Sequence, residues 1–311
     1  MSAELTPLVL RSAAARRSRD QVFAFATVLA TVIILAMLAV ILGDALVHGV
    51  GRLSLAFLIE PPSGGLDGGG VGPAIFGTAA LTIVMTIAVV PVGVLTAIYL
   101  SEYASPTSRI ARAVRLAVAN LAGVPSIVFG LFGLGFFVQT VGRGLDRAAF
   151  SGKVTYGQPA LIWGALTLSI LTLPVVIVAT EEALRSVPRS LRDASLALGA
   201  TKFQTTFVVV VPQALSGIMT GAILAVSRGA GEVAPILFTG AAYFLPELPT
   251  HLNDQFMSLG YHVYVLGTQS PDVDRTKPTL YATVLVLLGL TFALNLVAVV
   301  IRVRARRGRT G

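Results

Sequence analysis

Arg228 and Glu232 stand four residues apart in the stretch SRGAGEVAPI (Ser227 to Ile236), with long uncharged sequence before them and more after. On a helix, that spacing places both side chains on one face, where they can pair. A lone Arg or Asp at the centre of a membrane helix costs about 2.5–3.5 kcal/mol on insertion scales. The two charges must therefore face a bundle interior, a partner subunit or a water-filled cavity. Gly229 and Gly231 strip side chains from their surroundings and leave room for a small ligand or another helix. Two roles follow, and they are compatible. The pair can be a structural tie that sets how its helix packs. Alternatively, Arg228 faces a water-filled cavity and meets an anion there, with Glu232 holding it and releasing it in one conformation only. A guanidinium suits the second role because its planar fork matches the oxygens of an oxyanion and it stays charged in any environment.

Other chemistry is sparse. The chain has no cysteine, which excludes disulfides, thiol catalysis and cysteine-ligated metals. His48, His251 and His262 fall in segments without metal-ligand spacing and read as ordinary loop residues, so no metal site is expected. Asn120, Ser126 and Gln139 read as hydrogen-bonding groups between helices rather than as ligands. Glu102, at the end of an apolar run, reads as a structural partner for nearby arginines. The glycine-rich stretch PPSGGLDGGGVG (Pro61 to Gly72) has no following Lys-Ser or Lys-Thr, and Gly152-Lys153 is followed by Val154, so neither is a phosphate-binding loop. No catalytic residue and no cofactor are expected.

The elements that must position Arg228 come from composition. The chain is 55% hydrophobic and 12% charged, where soluble domains are nearer a quarter charged, which places it among membrane proteins. Six uncharged stretches, 21–43, 68–101, 116–142, 154–180, 203–227 and 278–301, each exceed the roughly 20 residues a helix needs to span hydrocarbon. They lack the two-residue alternation of barrel strands. The fold class is thus all-α, an integral membrane protein with six transmembrane helices. These are placed at about Val22 to Val47, Pro73 to Leu100, Val114 to Thr140, Pro159 to Thr180, Pro212 to Phe238 and Leu280 to Ile301. Pro91, Pro125, Pro174, Gly130, Gly133 and Pro235 permit kinks, and Gly217 with Gly221 forms a small-xxx-small pair for close helix approach.

Lys and Arg crowd the first 20 residues, the connections around 109–115 and 185–202, and the stretch 302–309, so these lie in the cytoplasm and both termini are inside. The net charge of +8 then reflects topology anchors beside membrane helices rather than nucleic-acid binding. The first apolar run is too long for a signal-peptide core and is expected to be retained.

The segment from Glu181 to Pro212, EEALRSVPRSLRDASLALGATKFQTTFVVVVP, lies between helices four and five. Pro188 suits the first turn of a helix. Leu191, Ala194, Ser195 and Leu198 then fall on one largely apolar face, while Arg189, Arg192 and Asp193 turn elsewhere. Gly199 is placed to end that helix, and Thr201 to Gln204 reads as a capping box that starts the next. By periodicity, such a helix either lies in the lipid interface or docks into another protein.

A resemblance bears on that choice. Asp193-Ala194-Ser195, three residues, Gly199, nine residues, then Val209-Val210-Val211-Pro212 closely resembles the EAA motif of binding-protein-dependent ABC importer permeases. The family pattern is E-A-A, three residues, G, nine residues, I-x-L-P, so the spacing is shared, with mild departures in residue type. GPAIFGTAALT (Gly72 to Thr82), YLSEYA (Tyr99 to Ala104), NLAGVPSIVFGLFGL (Asn120 to Leu134), LGATKFQ and SRGAGEVAPILFTGAA resemble the PstA-type phosphate permeases, over about residues 70 to 300.

The resemblance implies a type I ABC importer permease (MetI-like) architecture in a bacterial inner membrane. It implies that Asp193, Ala194, Ser195 and Gly199 couple to an ATPase dimer (PstB-type), beside a second permease (PstC-type) and an external phosphate-binding protein (PstS-type). It also implies that Arg228 and Glu232 belong to the substrate path. The organisation it suggests is a basic tail over 1–21, a first transmembrane helix and Gly-rich segment over 22–72, a permease core over 73–302 with its coupling loop at 181–211, and a basic tail over 303–311. A permease for sulfate or molybdate would share the coupling loop. A secondary transporter, or a membrane anchor or signalling protein, would leave that spacing as coincidence.

Overall fold

A computed structural model describes residues 6–63, 65, 68–105 and 107–307, with side chains described from 20 to 304. Much of the two basic tails therefore lies outside the described side chains. The helices are α1 (Thr6–Gly49), α2 (Leu55–Ile59), α3 (Gly72–Ile98), α4 (Arg109–Leu121), α5 (Ser126–Phe132), α6 (Arg143–Ala149), α7 (Leu161–Arg185), α8 (Arg189–Ala197), α9 (Lys202–Gln204), α10 (Val211–Ala230), α11 (Leu259–Thr268) and α12 (Val273–Arg307). Three π-helical stretches extend or join them: Tyr99–Tyr103 after α3, Gly133–Gly142 between α5 and α6, and Thr205–Val210 between α9 and α10. Among the described residues, six helical spans are long and apolar enough to cross a membrane: Asp20–Arg52, Gly72–Tyr103, Ser126–Ala149, Leu161–Arg185, Lys202–Ala230 and Val273–Arg304. Because six spans alternate in direction, the N-terminal end of α1 and the C-terminal end of α12 lie on the same side as α8.

The spans sort into a centre and a rim. The window of α7 is 67% buried within the chain, whereas those of α1 and α12 are 0% buried, so α7 is the axis and the terminal helices present their apolar side chains outward. Leu81 and Met85 of α3, Phe129 of α5, and Leu161, Leu168 and Leu171 of α7 form one core with Ile236 and Phe256. Close approach needs small residues where helices cross. A Cβ added at Gly217 would sit 2.4 Å from that of Ala183, and one at Gly221 2.9 Å from that of Ala179, so the expected glycine pair fits onto two alanines of α7.

The bounds of two expected helices are corrected. The third span begins at Ser126 rather than Val114, and residues 114–121 belong to the separate helix α4. Ser108 caps α4 by accepting from the Ala111 N–H, and the chain then turns through Ala122 to Pro125. Pro125 disfavours helical backbone at Val124, and neither it nor Gly123 carries a charge, so the uncharged run conceals the break. The fifth span is longer at its start and shorter at its end: it runs from Lys202 and stops at Ala230, not Phe238. Gly231 closes the helix, and Pro235 lacks the N–H that a continuing helix would need.

From Gly231 to Ser258 the backbone is a series of turns with one short parallel pairing, Ala241 with Phe256 and Ala242 with Met257. Part of this chain lies below the bundle's rim. The Leu259 N–H donates to Thr78 Oγ1, about 9 Å along α3 from Gly72 at 1.5 Å per residue. Non-helical backbone at that depth is tolerated when protein surrounds it, and Ile236, Thr239 and Phe256 are fully buried. The first turn of α7 gains partners here, since the Leu161 and Ile162 N–H groups donate to Asp254 O and Leu252 O, both at 2.9 Å.

Candidate functional site: an exposed short helix and an ion pair at the end of a span

Two of the expected sites are separate in space. At one end of the bundle lies α8. Pro188 occupies its N-cap, one position before the expected first turn. At the other end of α8, Gly199 has φ +86°, a left-handed conformation open to glycine without penalty, and nothing crowds the place of its missing Cβ. The requirement at 199 is thus the backbone angle alone. Thr201 and Gln204 make both bonds of the capping box: Gln204 N–H to Thr201 Oγ1 at 3.2 Å and Thr201 N–H to Gln204 Oε1 at 2.8 Å. The turn between α8 and α9 is therefore closed from both sides.

No residue of α8 is buried. Asp193 and Ala194 are exposed, as are Leu191, Leu196 and Leu198, the last 89% exposed. An apolar helical face left open beside a basic surface is what a docking helix presents before its partner arrives. Ser195 turns back toward the bundle, its Oγ 2.9 Å from Thr205 Oγ1. Arg192 does so more strongly. Its guanidinium meets both carboxylate oxygens of Glu102 and donates to Leu184 O and Val187 O. Beside it opens a cleft of about 460 Å³ lined by Ser101, Glu102, Arg185, Val187, Arg189, Arg192 and Asp193.

The second site lies where α10 ends. Arg228 sits in its last turn and Glu232 just beyond Gly231. Arg228 Nε and Glu232 Oε1 are 3.3 Å apart, so the expected pair forms although the helix stops between its members. Arg228 also suits its place at a helix C-terminus, where the macrodipole favours a cation. Its two Nη groups make no hydrogen bond among the described residues, and its side chain is 41% exposed. The glycines differ from each other. Gly231 has open space where a Cβ would point, whereas Gly229 is pressed against Met85 of α3, where an added Cβ would lie 2.4 Å from its sulfur. Next to the pair, Ser227 Oγ donates to Asn295 Oδ1 of α12 at 2.8 Å.

The sequence profile of the binding-protein-dependent transport system inner membrane component matches residues 89–307. The chain belongs to that family. It is 33% identical over 260 residues to the probable ABC transporter permease protein YqgI of Bacillus subtilis, covering 79% of this chain and 83% of that protein. It is 36% identical over 242 residues to the phosphate transport system permease protein PstA 1 of Mycobacterium tuberculosis, covering 78% and 73%. Among solved structures, a chain of an inward-facing MetNI methionine ABC transporter superposes with a TM-score of 0.57 at 20% identity, over 76% of this chain and 95% of that one. A chain of a bacterial ABC transporter that imports alginate superposes with a TM-score of 0.63 at 15% identity, over 93% and 98%. At those identities the likeness establishes the fold: a MetI-like importer permease with six transmembrane helices. Membership in the family implies two kinds of partner, an ATPase and a substrate-binding protein.

Other polar residues of the permease fall partly as expected. Glu102 does serve arginines, pairing with Arg192, while Arg115 pairs with Glu181 at 3.3 Å. Asn120, Ser126 and Gln139 make no side-chain hydrogen bond to another helix among the described residues, and Asn120 lies on exposed α4 rather than in the third span. His48 is not in a loop: it sits in the last turn of α1, beside Asp44 at 2.9 Å and stacked on Tyr281. His262 is buried in α11 against Tyr243 at a 5.5 Å ring separation, and its Nδ1 has no hydrogen-bond partner among the described residues. His251 does lie in a loop, where its N–H and that of Thr250 donate to Asp254. These bonds, the His251 N–H foremost, hold the Asp254 carboxyl below its ordinary pKa.

Proposed function

We propose that this chain is the PstA-type permease subunit of an ATP-driven importer of inorganic phosphate, in a bacterial inner membrane with both termini cytoplasmic. The observation that carries the substrate is Arg228: a guanidinium in the last turn of a span long and apolar enough to cross a membrane, held through Nε, with no hydrogen bond to its Nη donors among the described residues and open space where a Cβ would point at Gly231. That is the arrangement a tetrahedral oxyanion can approach. The naming of several 33–36% identical relatives as phosphate permeases supports the same substrate.

A PstB-type ATPase dimer would seat on Asp193, Ala194, Ser195 and the turn at Gly199, and would supply all nucleotide chemistry, leaving this subunit without catalysis of its own. A PstC-type permease would complete the path, with a PstS-type protein delivering phosphate near segments 141–158 and 240–278. Closure of the ATPases would then rock the two permease bundles between inward and outward access. In this arrangement 73–302 is the permease core, 181–211 its coupling loop, 22–72 the first helix and Gly-rich segment, and 1–21 and 303–311 basic tails.

Uptake by the reconstituted complex tests this reading. ATP-dependent accumulation of phosphate that sulfate and molybdate do not compete away is expected. Arg228→Gln should abolish it and Arg228→Lys should weaken it. Unchanged phosphate uptake in both variants would remove Arg228 from the mechanism. Preferential uptake of sulfate or molybdate would reassign the substrate, and uptake by this chain alone under an ion gradient would make it a secondary transporter.

A further inference from the structure

A helix that buries none of its residues needs some other hold on the bundle if its movement is to be felt there. For α8 that hold is concentrated in Arg192. Its Nη2 lies 2.8 Å from Glu102 Oε1 and its Nε 3.3 Å from Oε2, while Nη2 and Nη1 reach Leu184 O at 2.8 Å and Val187 O at 2.6 Å. The side chains are 17% and 11% exposed, so the pair is largely withdrawn from water. Glu102 stands in the π-helical turn that ends α3, a backbone form that recurs at functional sites. The same turn is gripped twice more. Lys202, just past the glycine turn, lies 5.3 Å over the Tyr103 ring, and Arg115 donates to Leu100 O at 2.7 Å.

From this turn α3 runs as one helix to Met85, roughly 26 Å away at 1.5 Å per residue. There its side chain occupies the space that Gly229 leaves, immediately beside Arg228. One element thus touches the docking helix at one end and, at its middle, Gly229, the residue next to Arg228. Contact alone is not coupling, which needs an element that both sites bias.

We infer that Arg192 is the positioning residue that ties the docking helix to α3, through Glu102, and so makes α3 the lever between ATPase movement and Arg228. This rests on the proposed role of the chain as an ATPase-coupled permease. The guanidinium is suited to it because a fork that engages a carboxylate and two carbonyls together resists shear, whereas a single ammonium contact pivots.

The test uses the full complex of permeases, ATPase and binding protein in liposomes, reading phosphate imported per ATP hydrolysed alongside the ATPase that copurifies. In Glu102→Gln and Arg192→Lys, copurification is expected to persist, because the docking face is intact. Import per ATP is expected to fall at least about five-fold, the low end of ordinary coupling between distant sites. A merely structural role would reduce the yield of complex and leave that ratio unchanged, which would overturn the inference. Because the chain has no cysteine, the double substitution E102C and R192C gives a second readout. Joining the two thiols with a short bifunctional reagent should restore import per ATP, and joining without recovery would equally overturn it. A wild-type complex that hydrolyses ATP and imports a different oxyanion refutes only the phosphate assignment, and the ratio is then read with that anion.

Discussion

Two arginine–glutamate pairs in this permease share their chemistry and differ in almost everything around it. Arg192 engages Glu102 through two hydrogen bonds, adds two backbone carbonyls, and sits with its partner largely out of water. Arg228 engages Glu232 through one 3.3 Å contact, makes no Nη hydrogen bond among the described residues, and is 41% exposed. Separating the first pair would leave a part-buried carboxylate without its partner and take a donor from each of two carbonyls. Separating the second would free a guanidinium into accessible space. The first pair is built to hold and the second can let go, and geometry rather than residue type makes the difference.

Substitution of each arginine by a neutral side chain should expose that contrast. Arg192→Met removes the partner of the part-buried Glu102 carboxylate, and losing hydrogen bonds to a charged group costs about 1.5–3 kcal/mol. Thermal or denaturant unfolding of the detergent-solubilised chain reads it, and a loss under about 1 kcal/mol would erase the distinction between the pairs. The turn that closes α8, the proposed ATPase seat, comes next. Gly199→Ala forces a side chain into left-handed backbone, at about 1–2 kcal/mol, with weaker retention of the ATPase on copurification as the accompanying sign. For Arg228→Gln the stability change should stay within about 1 kcal/mol, as for exposed pairs, even though phosphate uptake is lost. A large destabilisation there would make the pair a structural tie after all.

The smallest effect concerns Asp254 in the loop between α10 and α11. Its folded pKa lies below the ordinary 3.8, so its contribution is complete above that value and is lost as pH falls through the lower folded value. The stability difference between the wild-type chain and Asp254→Asn should therefore shrink on acidification below about pH 4. A difference that grew on acidification would reverse the sign argued here.

Much of the α8 end could be read along the chain because its signals are local. Gly199 as a helix terminator and Thr201 to Gln204 as a capping box each involve residues within a turn of one another, and each appears where the pattern put it. The ends of the third and fifth spans were harder to see. A run of uncharged residues continues through Gly123 and Pro125 and through Pro235 without registering that the backbone has turned, because hydrocarbon compatibility and helicity are different properties. Glu102 was recognisable as a partner for arginines. Which arginine it meets was not, since Arg192 lies 90 residues away. The burial of His262 was equally hidden, because nothing near it in sequence announces the packing against Tyr243.

The amino-acid order by itself determined that this chain crosses a membrane six times, that a short helix and a glycine turn stand between the fourth and fifth crossings, and that Arg228 would find Glu232. Each follows from run length, backbone preference or a four-residue separation, all of which act over a few turns of chain. The tertiary structure alone decided that α7 is the axis, that Arg192 closes on Glu102, and that Met85 of α3 fills the gap at Gly229. Those are meetings of distant segments, set by how helices of particular shape pack together, and no local rule of composition or spacing contains them.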